Sequence, residues 1–159
     1  MSETYVLDKA VLTEEDFGKT IRCIPNIHAM CFQQDRNNWT GNFVLDIDFI
    51  FKAVDPIPPG ENFSYWISPC TLIFHETSEF RMDYDTTQYS FGLLNVEEII
   101  INKINESYNV AIELWGGTIN FNCSKGFSVI VRKMPVCIHN IELSMEERGG
   151  ISFGTKPYK

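Results

Sequence analysis

The clearest pattern in the chain is a run of alternating large apolar and other side chains at residues 41–52. A period of two is typical of a β-strand, whose successive side chains point to opposite faces. One face carries Phe43, Leu45, Ile47, Phe49 and Phe51, and the other carries Val44, Asp46, Asp48, Ile50 and Lys52. Each large apolar side chain gains roughly 1.5–3 kcal/mol on full burial. We therefore predict a central strand whose aromatic face is core and whose two aspartates face solvent.

Similar alternation recurs along the rest of the chain. After Pro25, one face carries Ile27, Ala29 and Cys31 and the other His28, Met30 and Phe32, and the polar loop 33–41 leads as a hairpin into the central strand. We expect a strand at 62–68 that is halted by Pro69 and resumes at Cys70. Further strands are expected at 78–85, where Phe80, Met82 and Tyr84 share the buried face, and at 127–132.

Three other segments have distinct signals. Thr13, two acids and Gly18 predict a single helical turn. Two alternating runs flank Gly116-Gly117, which predicts a β-hairpin. The segment 96–104 has apolar residues at helical spacing, but its isoleucines favour a strand, so its structure stays open.

These elements predict the fold class. Seven to nine short strands joined by short turns indicate a mainly β protein, an antiparallel β-sandwich or a strongly curved sheet, with at most one or two short helices. No linker, repeat or low-complexity stretch divides residues 1–159, so we expect a single β-rich domain. We expect the tail from about residue 150 to be mobile.

The charge balance narrows the class of partner. The 159 residues include 13 Lys plus Arg and 21 Asp plus Glu, for a net charge of −8. Such a surface repels phosphate backbones and anionic headgroups, so nucleic-acid binding and membrane attachment are disfavoured. A basic protein partner is favoured electrostatically, although solubility alone would also explain the charge.

The cysteines and the ends of the chain bear on its compartment. Five cysteines without any C-x-x-C pair suit reduced thiols better than a disulfide framework. The first residues lack a basic region followed by an apolar run, and no apolar run approaches 18 residues. We therefore expect a cytoplasmic protein, either a monomer or a homodimer.

One set of residues is a candidate metal or acid/base site. Asp46 and Asp48 point the same way from one strand, and His28 on the preceding strand can lie opposite them across a simple hairpin. Two carboxylates and an imidazole can bind a divalent metal or transfer a proton. The alternative is a solvated outer face, because a register slip of one residue would separate the three groups.

Other candidate chemistry is weaker. Cys70 and His75 are five residues apart in an extended segment and should point to opposite faces, which argues against a catalytic dyad. The two Gly-Gly pairs lack the context of a phosphate-binding loop. Phe63, Tyr65, Trp66 and Trp39 can form either a recognition surface or part of the core. We find no catalytic motif and expect no cofactor.

Three segments resemble a known family. Ile27-His28-Ala29, the run from Asp46 to Lys52, and Ser68-Pro69 followed by Cys70 to Phe74 resemble a family of small, uncharacterised bacterial cytoplasmic proteins. The family pattern has Asp-Ile-Asp-Tyr-Ile-Phe-Lys-Trp, and this chain has Phe49 and Ala53 at the two aromatic positions. The resemblance covers most of residues 5–135 and implies a bacterial, cytoplasmic, β-rich protein.

The chain departs from the family pattern at one triplet, and it is also loosely similar to a second class of protein. Arg22-Cys23-Ile24 stands where the family has Trp-His-Asp, so a site carried by that triplet is not carried over. The strand order and acidic charge are also loosely similar to immunity proteins that neutralise polymorphic toxins. Our leading hypothesis is a non-enzymatic, protein-binding module with an acidic surface, immunity-like or accessory. The alternative is a metal-assisted hydrolase or small-ligand binder that uses His28, Asp46 and Asp48.

Overall fold

The structure is a computed structural model that describes residues 5–159. Within that range it contains eleven strands, one 3₁₀ turn and one short α-helix. The strands are β1 Val11–Thr13, β2 Thr20–Ile21, β3 Asn26–Asp35, β4 Thr40–Val54, β5 Ser64–Phe74, β6 Thr77–Tyr84, β7 Leu94–Ile104, β8 Ser107–Leu114, β9 Gly117–Cys123, β10 Phe127–Val131 and β11 Val136–Ile138. The 3₁₀ turn is Glu14–Asp16, and helix α1 is Met145–Arg148.

The strands form one open antiparallel sheet in the order β1-β10-β5-β4-β3-β7-β8-β9-β6, with β11 beside β5 and β2 beside β7. The mainly β class is confirmed, but the predicted count of seven to nine strands is wrong. The additional strands are β1, β2 and β11, which have only two or three residues each. Such short segments pair without showing any alternation that a sequence pattern can reveal.

Strand β4 is central, as its alternation predicts. It pairs along its length with β3 on one side and β5 on the other. Phe43, Leu45 and Ile47 are fully buried in the main core, and the Phe43 ring packs edge-on against Phe121, with centroids 5.3 Å apart. The aromatic face of this strand is therefore the inner face of the sheet.

The sheet curves so that its two halves share one core. Strands β5 and β9 are far apart in the strand order, yet the rings of Phe74 and Phe121 are 4.7 Å apart. Phe80 on β6, at the end of the sheet, lies 4.9 Å from the Phe43 ring of the central strand. Contacts between such distant strands require the sheet to bend back over itself.

Pro69 does not halt a strand, contrary to the sequence prediction, because β5 runs through it from Ser64 to Phe74. On one side of β5, strand β11 pairs up to Ile67 and β10 pairs from Cys70. In the gap between β11 and β10, the Pro69 carbonyl accepts a hydrogen bond from the backbone amide of Arg132. The N–H that proline lacks would point into the same gap, so no ladder hydrogen bond is lost.

The remaining local predictions have clear outcomes. The 3₁₀ turn confirms the single helical turn, and Asp16 accepts a hydrogen bond from the Thr13 amide. The open segment 96–104 is part of strand β7. The β8–β9 hairpin turns at Trp115 and Gly116, and Gly117 already belongs to β9. A Cβ at Gly117 would lie 1.8 Å from the Asp83 carbonyl oxygen, which explains the glycine.

The C-terminal segment, residues 139–159, packs over the outer face of β4 and its neighbours. Leu143 is buried, the Tyr158 amide donates to the Val131 carbonyl, and Lys159 Nζ donates to the Leu7 carbonyl at 2.7 Å. The tail expected to be mobile thus has specific contacts. Among residues 5–159, no helix has the length and apolar character needed to cross a membrane.

Candidate functional site

Asp46 and Asp48 are fully buried, which overturns the prediction that they face solvent. Both side chains have no exposed surface. They do point away from the aromatic core, as the alternation requires, but the C-terminal segment covers them. The sequence pattern separates the two faces of a strand correctly and does not report what packs on the second face.

Arg148, at the end of helix α1, binds both aspartates. Its Nη1 donates to Asp46 Oδ2 at 2.7 Å and its Nη2 to Asp46 Oδ1 at 2.9 Å, which makes a bidentate pair. Nη2 also donates to Asp48 Oδ1 at 3.1 Å and to the Ile47 carbonyl at 3.1 Å. The planar guanidinium can satisfy this fixed set of acceptors, whereas a lysine ammonium cannot.

Local sequence places Arg148 at this point. The Ser144 hydroxyl accepts from the Glu147 amide, the Glu147 carboxylate accepts from the Ser144 amide, and Gly149 ends the helix in the left-handed region at a φ of 77°. This is a capping box followed by a glycine C-cap. The Ser-x-x-Glu spacing at Ser144 and Glu147 is the signal in the sequence that a short helix leads to Arg148.

A second arginine and two backbone amides complete the cluster. Arg132 Nη2 donates to Asp46 Oδ1 at 2.8 Å, and its Nη1 donates to Thr71 Oγ1 and to the Ser152 carbonyl. The amide of Ser152 donates to Asp46, and the amide of Leu143 donates to Asp48. We call Asp46, Asp48, Arg132, Arg148 and His28 the buried charge cluster.

His28 joins the cluster through a β-bulge. Ile27 is opposite Ile47 and Ala29 is opposite Asp46, so His28 is the extra residue between them. Its Nε2 lies 2.7 Å from Asp48 Oδ2. The bulge also reverses the predicted faces beyond it. Met30 packs in the main core with Leu45 as its cross-strand partner, and Cys31 lies on the opposite face beside Val44.

The electrostatics of the cluster favour the ionised form of Asp46 and the charged form of Arg148. Burial alone would raise the pKa of Asp46, but hydrogen bonds from Arg148, the Ser152 amide and Arg132 outweigh it, so the pKa lies below 3.8. Burial alone would lower the pKa of Arg148, but the carboxylates of Asp46 and Asp48 outweigh it and raise that pKa above its ordinary value. Each charged form is therefore stabilised by its partners.

The donor set of the cluster does not suit a divalent metal. Each of the four carboxylate oxygens of Asp46 and Asp48 accepts two hydrogen bonds, from guanidinium, imidazole or amide donors. Within residues 5–159, no group of three His, Cys, Asp or Glu side chains has metal-binding geometry. The predicted constellation does converge, because His28 reaches Asp48, but arginines hold the positions that a cation would take.

The other sequence candidates lie apart from this cluster. Cys70 is fully buried beside Ser68, and burial raises the pKa of its thiol to about 12, which removes its nucleophilic form at neutral pH. His75 Nε2 instead lies 3.0 Å from Ser128 Oγ. His139 is exposed in the loop after β11, and its Nδ1 lies 2.9 Å from Ser64 Oγ.

The four aromatic residues considered together are separated. Trp66 is buried and Tyr65 half-buried, whereas Trp39 is 91% exposed in the β3–β4 loop. The loop lies at one end of β4, and Phe63 to Trp66 lie beside its other end. They do not form one recognition surface.

A second polar region lies on the outer face of β7, β8, β9 and β6. In adjacent strands, Glu98 is directly opposite Glu113, Glu113 is opposite Thr118, and Thr118 is opposite Asp83. We call Glu98, Glu113 and Asp83 the acidic row. Their chain neighbours Ile99, Ile112 and Met82 pack in or against the core, so the row points away from the core. Unlike the buried charge cluster, its carboxylates keep contact with solvent, since Asp83 is exposed and Glu98 and Glu113 are half-buried.

Comparison of the chain with protein-family models, curated proteins and solved structures found no match.

Proposed function

We propose that this chain is a non-enzymatic protein-binding module that binds a basic partner through the acidic row. An immunity-like or accessory role in the bacterial cytoplasm is its most concrete form. The observation that carries the proposal is the row itself, in which three carboxylates and the Thr118 hydroxyl lie side by side across four strands on the outer face.

The acidic row costs stability in the isolated chain. Like charges directly opposite each other on adjacent strands destabilise a sheet by roughly 0.2–1 kcal/mol. Glu98 is opposite Glu113, and partial relief comes from Arg22, whose Nε donates to Glu98 Oε2 at 3.2 Å, and from the Thr118 hydroxyl, which donates to Glu113. A repulsive pair that does not help folding is expected where a surface is used for binding.

The state of the buried charge cluster and of the cysteines supports a binding role over a catalytic one. The carboxylates of the buried charge cluster are sequestered and fully hydrogen-bonded, so they stabilise the C-terminal segment on the sheet. All five cysteines are free thiols, which suits a reducing compartment. A basic partner would also gain from electrostatic steering by the net charge of −8.

The test neutralises the acidic row and follows binding to a captured partner. A partner cross-linked to the wild-type chain is identified, purified and titrated against the variant Glu98→Gln, Glu113→Gln, Asp83→Asn. The matched control removes the same charge from exposed carboxylates elsewhere, by Glu15→Gln, Asp55→Asn and Glu142→Gln. We expect the row variant to lose at least tenfold in affinity and the control to keep it.

Two outcomes would contradict the proposal. One is equal affinity of the row variant and the wild type for the purified partner. The other is an affinity that does not fall as salt rises, because an interface built on exposed charge is screened. A toxin-domain gene directly upstream would favour the immunity form, and a metabolic operon would favour an accessory role.

A further inference from the structure

Strand β3 has a long unpaired edge. It pairs with β4 from Asn26 to Asp35, but on its other side it pairs with β7 only at Asn26 and Ile27. For residues 29–35, no strand within the described range 5–159 occupies that side. We call residues 29–35 the open edge.

The free hydrogen-bonding groups of the open edge can be assigned. The Phe43 amide donates to Thr77 Oγ1, on the β5 side of β4, so it does not bond to its cross-strand partner Phe32. Phe32 and Phe43 are thus a non-hydrogen-bonded pair, and the N–H and C=O of Phe32 point away from β4. Because backbone hydrogen-bonding direction alternates along a strand, the N–H and C=O groups of Met30 and Gln34 also point away from β4.

The other long free edge, strand β6, is protected against pairing. It has a bulge between Ser78 and Arg81, and Glu79 within that bulge has a φ of 53°. It also presents alternating charges at Glu79, Arg81 and Asp83. Bulges and charged side chains are the usual means of blocking edge-to-edge association. The free edges of β1, β2 and β11 are only two or three residues long.

The open edge has neither protection. Its residues 29–34 are uncharged and contain no proline, and their pairing with β4 is regular, without a bulge. Phe32 at its centre is 54% exposed, although it contacts the rings of Phe43 and Phe80. A regular, uncharged edge with an exposed aromatic side chain is suited to adding a strand.

We propose that the open edge pairs with the open edge of a second copy of this chain, in an antiparallel dimer with its two-fold axis at Phe32. This proposal is independent of the acidic row. In this register Phe32 faces Phe32 of the second copy, and Met30 faces Gln34. Every outward N–H and C=O of the three residues then finds a partner across the axis.

Charge also fits this register. Asp35, the only charged residue of the open edge, lies opposite Ala29 of the second copy, so no like charges face each other across the new ladder. The two Phe32 rings meet at the axis and cover each other's exposed surface. The edge is therefore complementary to itself, as a two-fold interface requires.

The first test measures molar mass in solution by light scattering. We expect the wild type at twice 18.3 kDa, and Phe32→Lys, which places two ammonium groups at the axis, at 18.3 kDa. The matched control is Trp115→Lys, because Trp115 is 58% exposed at the β8–β9 turn and away from the edge. It should stay dimeric. A wild type that is monomeric at millimolar concentration, or a folded Phe32→Lys that is dimeric, overturns the proposal.

The second test decides the register and does not depend on Phe32→Lys folding. In a Cys137→Ser background, which removes an exposed thiol, Gln33→Cys places a thiol opposite Cys31 of the second copy. Mild oxidation should yield a covalent dimer. Gln34→Cys, opposite Met30 and on the other face, should remain uncross-linked. Equal cross-linking of the two variants, or none in Gln33→Cys, overturns the register.

Discussion

The outer face of β4 and the outer face of the β7–β8–β9–β6 half show the same alternation of apolar and acidic residues, but they differ in surroundings. On β4, Asp46 and Asp48 are buried beneath the C-terminal segment and paired with two arginines. On the other half, Glu98 and Glu113 are cross-strand partners, half-buried and without a covering segment described over them. The difference teaches that carboxylates on one strand face can either hold a fold together or weaken it, depending on what covers them.

Removing Arg148 should produce the largest effect. Arg148→Ala leaves two buried carboxylates without their main partner, and breaking a buried pair in this way costs about 3–5 kcal/mol of unfolding free energy. Urea denaturation monitored by tryptophan fluorescence measures the loss. The control is Arg22→Ala, whose exposed pair with Glu98 is expected to contribute only about 0–1 kcal/mol. Similar losses in the two variants would contradict a stabilising role for the cluster.

Acid should weaken the cluster in a defined direction. The pKa of Asp46 in the folded chain lies below its ordinary value, so its stabilising effect is complete above about pH 4 and is lost as the pH falls through the lowered pKa. The cost is expected to be about 1–3 kcal/mol. Urea denaturation at a series of pH values should show this slope in the wild type.

The matched variant for that titration is Asp46→Asn, which cannot ionise at this position. It should be less stable than the wild type at neutral pH and should lose less stability on acidification. An unchanged acid slope in Asp46→Asn would mean that other carboxylates, such as the exposed ones, cause the loss.

The helix that carries Arg148 should depend on its cap. Ser144→Ala removes the hydroxyl that accepts from the Glu147 amide, and loss of such a cap typically costs about 0.5–2 kcal/mol. Hydrogen exchange of the Leu143 and Ser152 amides, which donate to the two aspartates, should become faster than in the wild type. Ser78→Ala on exposed β6 is the control, and equal exchange in all three proteins would argue against the coupling.

The smallest expected effect has the opposite sign. Glu113→Gln removes the repulsion with Glu98 on the open face and should stabilise the isolated chain by about 0.2–1 kcal/mol. Thermal denaturation at low and high salt measures it, and the gain should shrink in high salt because the repulsion is screened. A destabilised Glu113→Gln would mean that the acidic row supports the fold.

Much of the fold could be predicted because strand formation depends on local alternation. Residues 43–51 identify the central strand and its inner face, and Pro25 and the polar loop 33–41 locate the β3–β4 hairpin. Four of the five odd-numbered apolar side chains of β4 are buried in the core and Phe51 packs against it, because an extended strand presents them on one face. These inferences need only neighbouring residues.

Long-range contacts decided the rest. Asp46 and Arg148 are 102 residues apart in the chain, so no spacing could pair them, and only the packing of the C-terminal segment buries the aspartates. The bulge at His28 reversed the faces of Ala29 and Met30, whereas His28 keeps the face that alternation assigns to it and lies 2.7 Å from Asp48. The gap between β10 and β11 made Pro69 acceptable inside a strand. Alternation assigns a side chain to a face, and the tertiary structure determines whether that face meets water, another segment or another chain.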